Sequence, residues 1–133
     1  MNTTKPLDGK RVLFVDDDAD IRKMFRFALE AAGATVVEAA TIAEVTARLT
    51  EAPVDALTVD WHLADDSPEV LLRSLDALQP GLARRTVVVS GDPRIVGPGV
   101  SKLSSGAYTL GKPFRPRDLI EAIARMIEAS TVA

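Results

Sequence analysis

The chain has 133 residues, 47% of them hydrophobic, and its 16 Lys plus Arg face 19 Asp plus Glu for a formal charge of -3. That length suits one domain with a packed core, the apolar share argues against disorder, and the mild acidity argues against nucleic-acid binding, which needs clustered positive charge. With no cysteine, a disulfide scaffold, a zinc-thiolate site and a cysteine nucleophile are all excluded.

The polar opening, Met1 to Lys10, carries no apolar signal core, and no apolar run reaches the length of a bilayer span. A soluble, cytoplasmic domain is expected. Val12-Leu-Phe-Val15 then reads as a strand buried on both faces, and it stops on Asp16-Asp17-Asp18. Ile21, Phe25, Ala28, Leu29 and Ala32 recur at helical spacing, with Gly33 as the stop. Thr35 to Ala39 is a short strand. Thr41, with Glu44 three residues on, gives a capping-box start to a helix running to about Thr50, and Pro53 breaks it.

Ala56 to Asp60 is a third strand, again closing on an acid. Ser67-Pro68 starts a helix whose apolar face is Val70, Leu71, Leu72, Leu75 and Leu78. Thr86-Val-Val-Val-Ser90 is a fourth strand. The stretch from Asp92 through Gly99 holds too many breakers for a regular helix, so the fourth helix is expected to be short or irregular, around Val100 to Ser104. Ala107 to Leu110 is a fifth strand, followed by Gly111-Lys112-Pro113-Phe114. Leu119, Ile120, Ile123 and Ile127 mark a last amphipathic helix.

This alternation predicts an α/β, doubly wound, five-stranded parallel sheet with helices on both faces. Ligands bind such sheets beyond the carboxyl ends of the strands. Those ends carry Asp16 and Asp17, Asp60, Ser90 and Lys112, which the fold would gather at one edge. Crowded carboxylates raise each other's pKa unless a cation sits among them, and oxygen donors suit a hard divalent ion such as magnesium. Helix capping accounts for Asp18, and for at most one more of the three acids. In this constellation Asp60 is a candidate nucleophile toward a phosphoryl group, Asp16 and Asp17 hold the ion, Ser90 donates a hydrogen bond, and Gly91 leaves room. Lys112 either pairs with the phosphoryl or forms a salt bridge with an aspartate, and both can hold in turn.

Val15-Asp16-Asp17, Asp60-Trp61, Val89-Ser90-Gly91 and Lys112-Pro113-Phe114, at these separations, resemble the CheY-like receiver domain of bacterial two-component response regulators, a flavodoxin-like fold. The resemblance runs from about Lys10 to about Ile127, and so implies a single receiver domain over residues 1–133 with no output domain. It implies that Asp60 accepts a phosphoryl group from a histidine kinase or histidine phosphotransfer protein. Mg2+ would be held by Asp16, Asp17, Asp60 and the backbone carbonyl of His62. It further implies a cis bond before Pro113, output through contacts with a protein target, and no enzymatic activity beyond self-phosphorylation and self-dephosphorylation.

His62 and Asp92 occupy positions similar to the family's tuners of phosphoryl lifetime; an exposed histidine with a free side chain is the plainer reading of His62. Trp61 is expected to pack beside the site. Departures from the family pattern are Ala64 for a proline, Pro68 for a glycine, and Thr109 where an aromatic switch residue is usual. Tyr108 lies one step away, and one step along a strand reverses the face; it is read either as a switch partner or as a packing aromatic.

Gly106 to Lys112 mimics a phosphate-binding P-loop, but Pro113 stands where Ser or Thr is required. Asp16, Asp18 and Asp20 mimic a calcium loop, but Ile21 takes its glycine position and Phe27 its terminal acid. Two alternatives remain. A haloacid-dehalogenase-like phosphatase would use Asp16 as nucleophile and Asp18 as acid/base, leaving Asp60 unexplained. A receiver-like interaction module would not be phosphorylated at all.

Overall fold

Apolar runs such as Val12–Val15 and Val87–Val89 can be buried on both sides only within a sheet that helices cover from above and below. The computed structural model, which describes residues 5–63, 67–94 and 100–131, has that arrangement. In chain order it contains β1 (Arg11–Val15), α1 (Ala19–Ala31), β2 (Thr35–Ala39), α2 (Ile42–Glu51) and β3 (Ala56–Asp60). There follow α3 (Pro68–Leu78), β4 (Thr86–Ser90), β5 (Val100–Lys102), β6 (Tyr108–Gly111) and α4 (Pro116–Thr131).

The sheet order is β2-β1-β3-β4-β6-β5. The five expected strands are all parallel, and β5 adds an antiparallel edge. Alternation divides the core in two. Phe14, Val87, Val89 and Tyr108 face α1 and α4. Leu13, Val15, Val59 and Val88 face α2 and α3. The order reverses between β1 and β3, so a crevice opens there at the carboxyl ends.

The helix starts follow their capping residues. Asp18 accepts from the N–H groups of Asp20 and Ile21, Thr41 from Glu44, and Ser67 from Val70. Glu44 reaches back to the N–H of Ala40 at 2.6 Å, one residue before the cap.

The short helix expected around Val100 to Ser104 is not present; Val100–Lys102 is a strand paired antiparallel with β6. A tight turn takes precedence over helix propensity here. Gly106 N–H donates to Leu103 O, Leu103 N–H donates to Ala107 O, and Gly106 has a φ of +95°. The reversal places Lys102 opposite Tyr108, with Nζ 5.0 Å from the ring centroid. The hairpin also pairs the backbone groups of β6 that would otherwise form an open edge. Residues 64–66, with the Ala64 departure, and residues 95–99 lie outside the described residues.

The N-terminal segment also contributes to the core. Leu7 is fully buried against the α1/α4 layer, and its N–H donates to Ala32 O at 2.9 Å. Gly33 permits this approach as well as ending α1: its φ is +103°, and a Cβ there would come within 2.8 Å of Asp8 Cα. We expect Leu7→Ala to cost about 2–5 kcal/mol of stability, read as a lowered urea midpoint with an unchanged slope. A midpoint equal to wild type would mean the segment is not docked in solution.

Candidate functional site

Register brings the four strand ends together. Val15 lies opposite Val59, Asp60 opposite Val89, and Ser90 opposite Gly111. The residues that follow or close these strands therefore share one edge of the sheet. Asp16, Asp17, Asp18, Asp60 and Lys112 line a cavity of about 440 Å³ there, whose apolar side includes Met24 and Phe114.

Asp60 is buried and its two oxygens are separately engaged. Oδ2 accepts from Lys112 Nζ at 2.8 Å, and Oδ1 accepts from the His62 N–H at 3.0 Å. Burial pushes this carboxyl up, but the Lys112 ammonium and the His62 amide outweigh it and hold Asp60 below the ordinary carboxylate value. Asp16 is also buried, and its Oδ1 accepts from the Asp18 N–H at 2.9 Å. Burial raises its pKa, the Asp18 N–H lowers it, and the charge of Asp60 together with a hydrogen bond between the two side chains raises it again. The two carboxyls of the pair are thus shifted in opposite directions, Asp16 upward and Asp60 downward.

Among the described residues no three carboxylate or imidazole side chains already converge as a cation cage. Asp17 sits exposed at the rim, Asp18 spends Oδ1 on capping α1, and Asp60 Oδ2 is taken by Lys112. The donor chemistry nonetheless fits a hard divalent ion. Two buried carboxyls in hydrogen-bonding contact have their mutual repulsion relieved by a cation as well as by a proton, and Asp17 lines the same cavity.

The remaining candidates are placed unevenly. Ser90 is fully buried beside Lys112, whose N–H donates to Ser90 O at 2.8 Å. Its Oγ accepts from the Asp92 N–H at 3.0 Å, and Ser90 does not line the cavity. A Cβ at Gly91 would meet only Lys112 Cβ, at 3.8 Å, so the bareness of Gly91 keeps space beside the lysine that the fold itself does not require. The His62 side chain is exposed, and the Asp92 carboxylate turns to Arg94 at 2.9 Å. Trp61 packs half-buried against the α2/α3 layer. The bond between Lys112 and Pro113 is cis.

Tyr108 lies in the α1/α4 core, whereas alternation sets Ser90 with Val88 on the other side of the sheet. The ring is a packing aromatic. Asp18, which a phosphatase would need as acid/base, is a helix cap, and Asp16, its nucleophile, is the carboxyl that favours protonation.

Sequence reading did not single out Arg22, a residue of the first turn of α1. Its Nη1 donates to the Asp16 carbonyl at 2.7 Å. Nothing in linear spacing marks that contact.

The family model described as the response regulator receiver domain matches residues 12–124. The phosphate regulon transcriptional regulatory protein PhoB of Pseudomonas aeruginosa is 33% identical over 124 residues, covering 90% of this chain and 52% of PhoB. The response regulator receiver protein CpdR of Brucella abortus is 31% identical over 121 residues, covering 91% of this chain and 99% of CpdR. The chain thus spans about half the length of PhoB and nearly all of CpdR. A solved CheY-like receiver domain protein from Methanospirillum hungatei JF-1 superposes with a TM-score of 0.73 at 29% identity, covering 92% of this chain and 96% of that one. A receiver domain protein from Clostridium thermocellum, at 24% identity, shares the fold with a TM-score of 0.75, covering 92% and 98%.

The raised pKa of Asp16 has a consequence for stability. A carboxyl whose folded-state pKa exceeds its unfolded value stabilises the fold at low pH and loses that contribution as pH rises through the raised value. Asp16→Asn keeps an acceptor for the Asp18 N–H and removes the titration. In EDTA-containing buffer we expect it to melt above wild type at neutral pH, with the gap closing toward about pH 4. Thermal melts across that range check this, and a lower melting temperature at neutral pH would contradict it.

Proposed function

The chain belongs to the response regulator receiver domain family, and on that footing we propose that Asp60 is its phosphoacceptor, taking a phosphoryl group from a phosphohistidine on a histidine kinase or histidine phosphotransfer protein. The observation that carries this reading is the state of Asp60: buried, ionised, held by Lys112 and the His62 amide, and set against a second carboxyl in a cavity open to a donor.

An Asp60 oxygen attacks phosphorus in line. The new O–P bond forms as the N–P bond breaks, and the imidazole leaves with the electron pair and takes its proton from solvent. Once esterified, Asp60 no longer carries the charge that binds Lys112, so the ammonium follows the negative charge onto the phosphoryl oxygens. The Ser90 hydroxyl, whose oxygen accepts from the Asp92 N–H, has a proton to donate to the same group. Asp16, Asp17, Asp60 and the His62 carbonyl are the residues that would hold magnesium, which when bound neutralises phosphoryl oxygens. His62 and Asp92, two residues after Asp60 and Ser90, control access of water to the acyl phosphate. The chain is a signalling domain, and its chemistry is confined to gaining and losing its own phosphoryl group. Output passes through contact with a protein target. No described helix is long and apolar enough to cross a membrane, and we place the domain in the cytoplasm with its kinase.

With acetyl phosphate and magnesium, intact-mass spectrometry should show one added phosphoryl group on wild type and none on Asp60→Asn. Labelling that survives in Asp60→Asn, or rapid turnover of a phosphate monoester, would overturn the assignment. His62→Ala should still be labelled but lose its phosphoryl group at a rate changed severalfold, followed by the decay of the phosphorylated mass; an unchanged decay rate would remove His62 from the mechanism.

A further inference from the structure

The main chain at Asp16 is held at both ends of the residue. Its N–H donates to Ala39 O in β2 at 3.1 Å, and its carbonyl accepts from Arg22 Nη1 at 2.7 Å. That carbonyl belongs to the peptide joining Asp16 to Asp17, so its orientation sets where both carboxylates hang. Arg22 is itself anchored. Its side chain is only 18% exposed, and Nε donates to Glu38 Oε1 at 3.0 Å. Glu38 Oε2 takes Arg26 Nη1 at 2.8 Å, and the Glu38 carbonyl takes Arg48 Nε at 3.2 Å. The planar guanidinium fork can make both contacts at once, which a lysine cannot.

We propose that Arg22, braced by Glu38, is a positioning residue for the cation site: it grips the Asp16–Asp17 peptide and so presets the two carboxylates for a divalent ion. This rests on the reading of Asp16 and Asp17 as cation ligands. Arg22 touches neither the ion's donors nor the phosphoryl group and acts only through the backbone. Glu38 has a second task. Arg26 and Arg22 hold its carboxyl below the ordinary value, so it stays ionised and offsets a guanidinium charge that would otherwise repel a cation a few bonds away. The Arg26–Glu30 pair on the same helix is about half exposed and contributes little.

The sign of the effect separates positioning from electrostatics. Replacing Arg22 by an uncharged residue removes a positive charge near an acidic cavity, so Coulomb attraction alone would tighten magnesium binding. Loss of positioning would weaken it. Outer-sphere supports of metal ligands typically contribute roughly 10–100-fold in affinity.

The test is magnesium titration of the full chain by fluorescence of Trp61, its only tryptophan. Arg22→Met should raise the magnesium Kd by roughly 10–100-fold. The magnesium concentration for half-maximal acetyl phosphate labelling should rise in step, while the labelling rate at saturating magnesium stays near wild type. Arg22→Lys, which keeps a single donor, should fall between. Arg26→Met removes the other partner of the Glu38 carboxylate and an equal charge without touching the Asp16 carbonyl, and should leave the Kd unchanged. An Arg22→Met Kd that is unchanged or lower, or an equal rise in Arg26→Met, overturns the proposal. If Arg22→Met does not fold, Arg22→Lys against Arg26→Met decides on the same measurement, since only the former should weaken binding. Failure of wild type to bind magnesium would overturn the cation-site reading itself, before any variant is compared.

Discussion

The contact between Lys112 and Asp60 organises the site. It joins the end of the third strand to the end of the last parallel strand, and it helps to hold below the ordinary value a carboxylate that burial pushes up. Asp16, beside it with no lysine of its own, moves the opposite way. Lys112, hydrogen-bonded to one of two neighbouring acids, thus helps to separate their shifts, Asp60 downward and Asp16 upward. The proposed nucleophile would then need no general base, which suits a chain with a single histidine whose side chain lies on the surface.

The constraint extends outward through the backbone more than through side chains. Asp60 is steadied by the His62 N–H, Asp16 by the Asp18 N–H, and Ser90 by the Asp92 N–H; each case is a side chain at a strand end turning back onto the amide two residues on. These local closures fix the carboxylates and the hydroxyl at the sheet edge before any partner arrives. Arg22 and Glu38 add a longer brace that reaches from α1 to β2 and ends on the one carbonyl lying between the two neighbouring acids.

The sheet's far edge is built differently. Where a fourth crossover helix was expected, a hairpin pairs β5 with β6 and sets Lys102 over Tyr108. The aromatic ring is thereby committed to the α1/α4 core, on the other side of the sheet from Ser90. The end of β6 opposite β5 is therefore a paired edge with a cation set over the ring.

Most of the architecture was written in local pattern. Val12–Val15, Ala56–Val59 and Thr86–Val89 are apolar runs that only a doubly covered strand can bury, and Asp18, Thr41 and Ser67 start helices by satisfying amides a few residues away. The candidate acids and lysine were legible for the same reason: parallel strands joined by crossovers all end at one edge, so position in the chain fixed position in space. What the chain by itself left open were contacts with no period to betray them. The β5 hairpin depended on a glycine turn winning over a weak helical stretch, Leu7 on a glycine at position 33 that admits the segment, and Arg22 on a reach of one side chain to a carbonyl on another element. Periodicity reports which face a residue presents, whereas a hydrogen bond between elements depends on distances that exist only after the layers have packed.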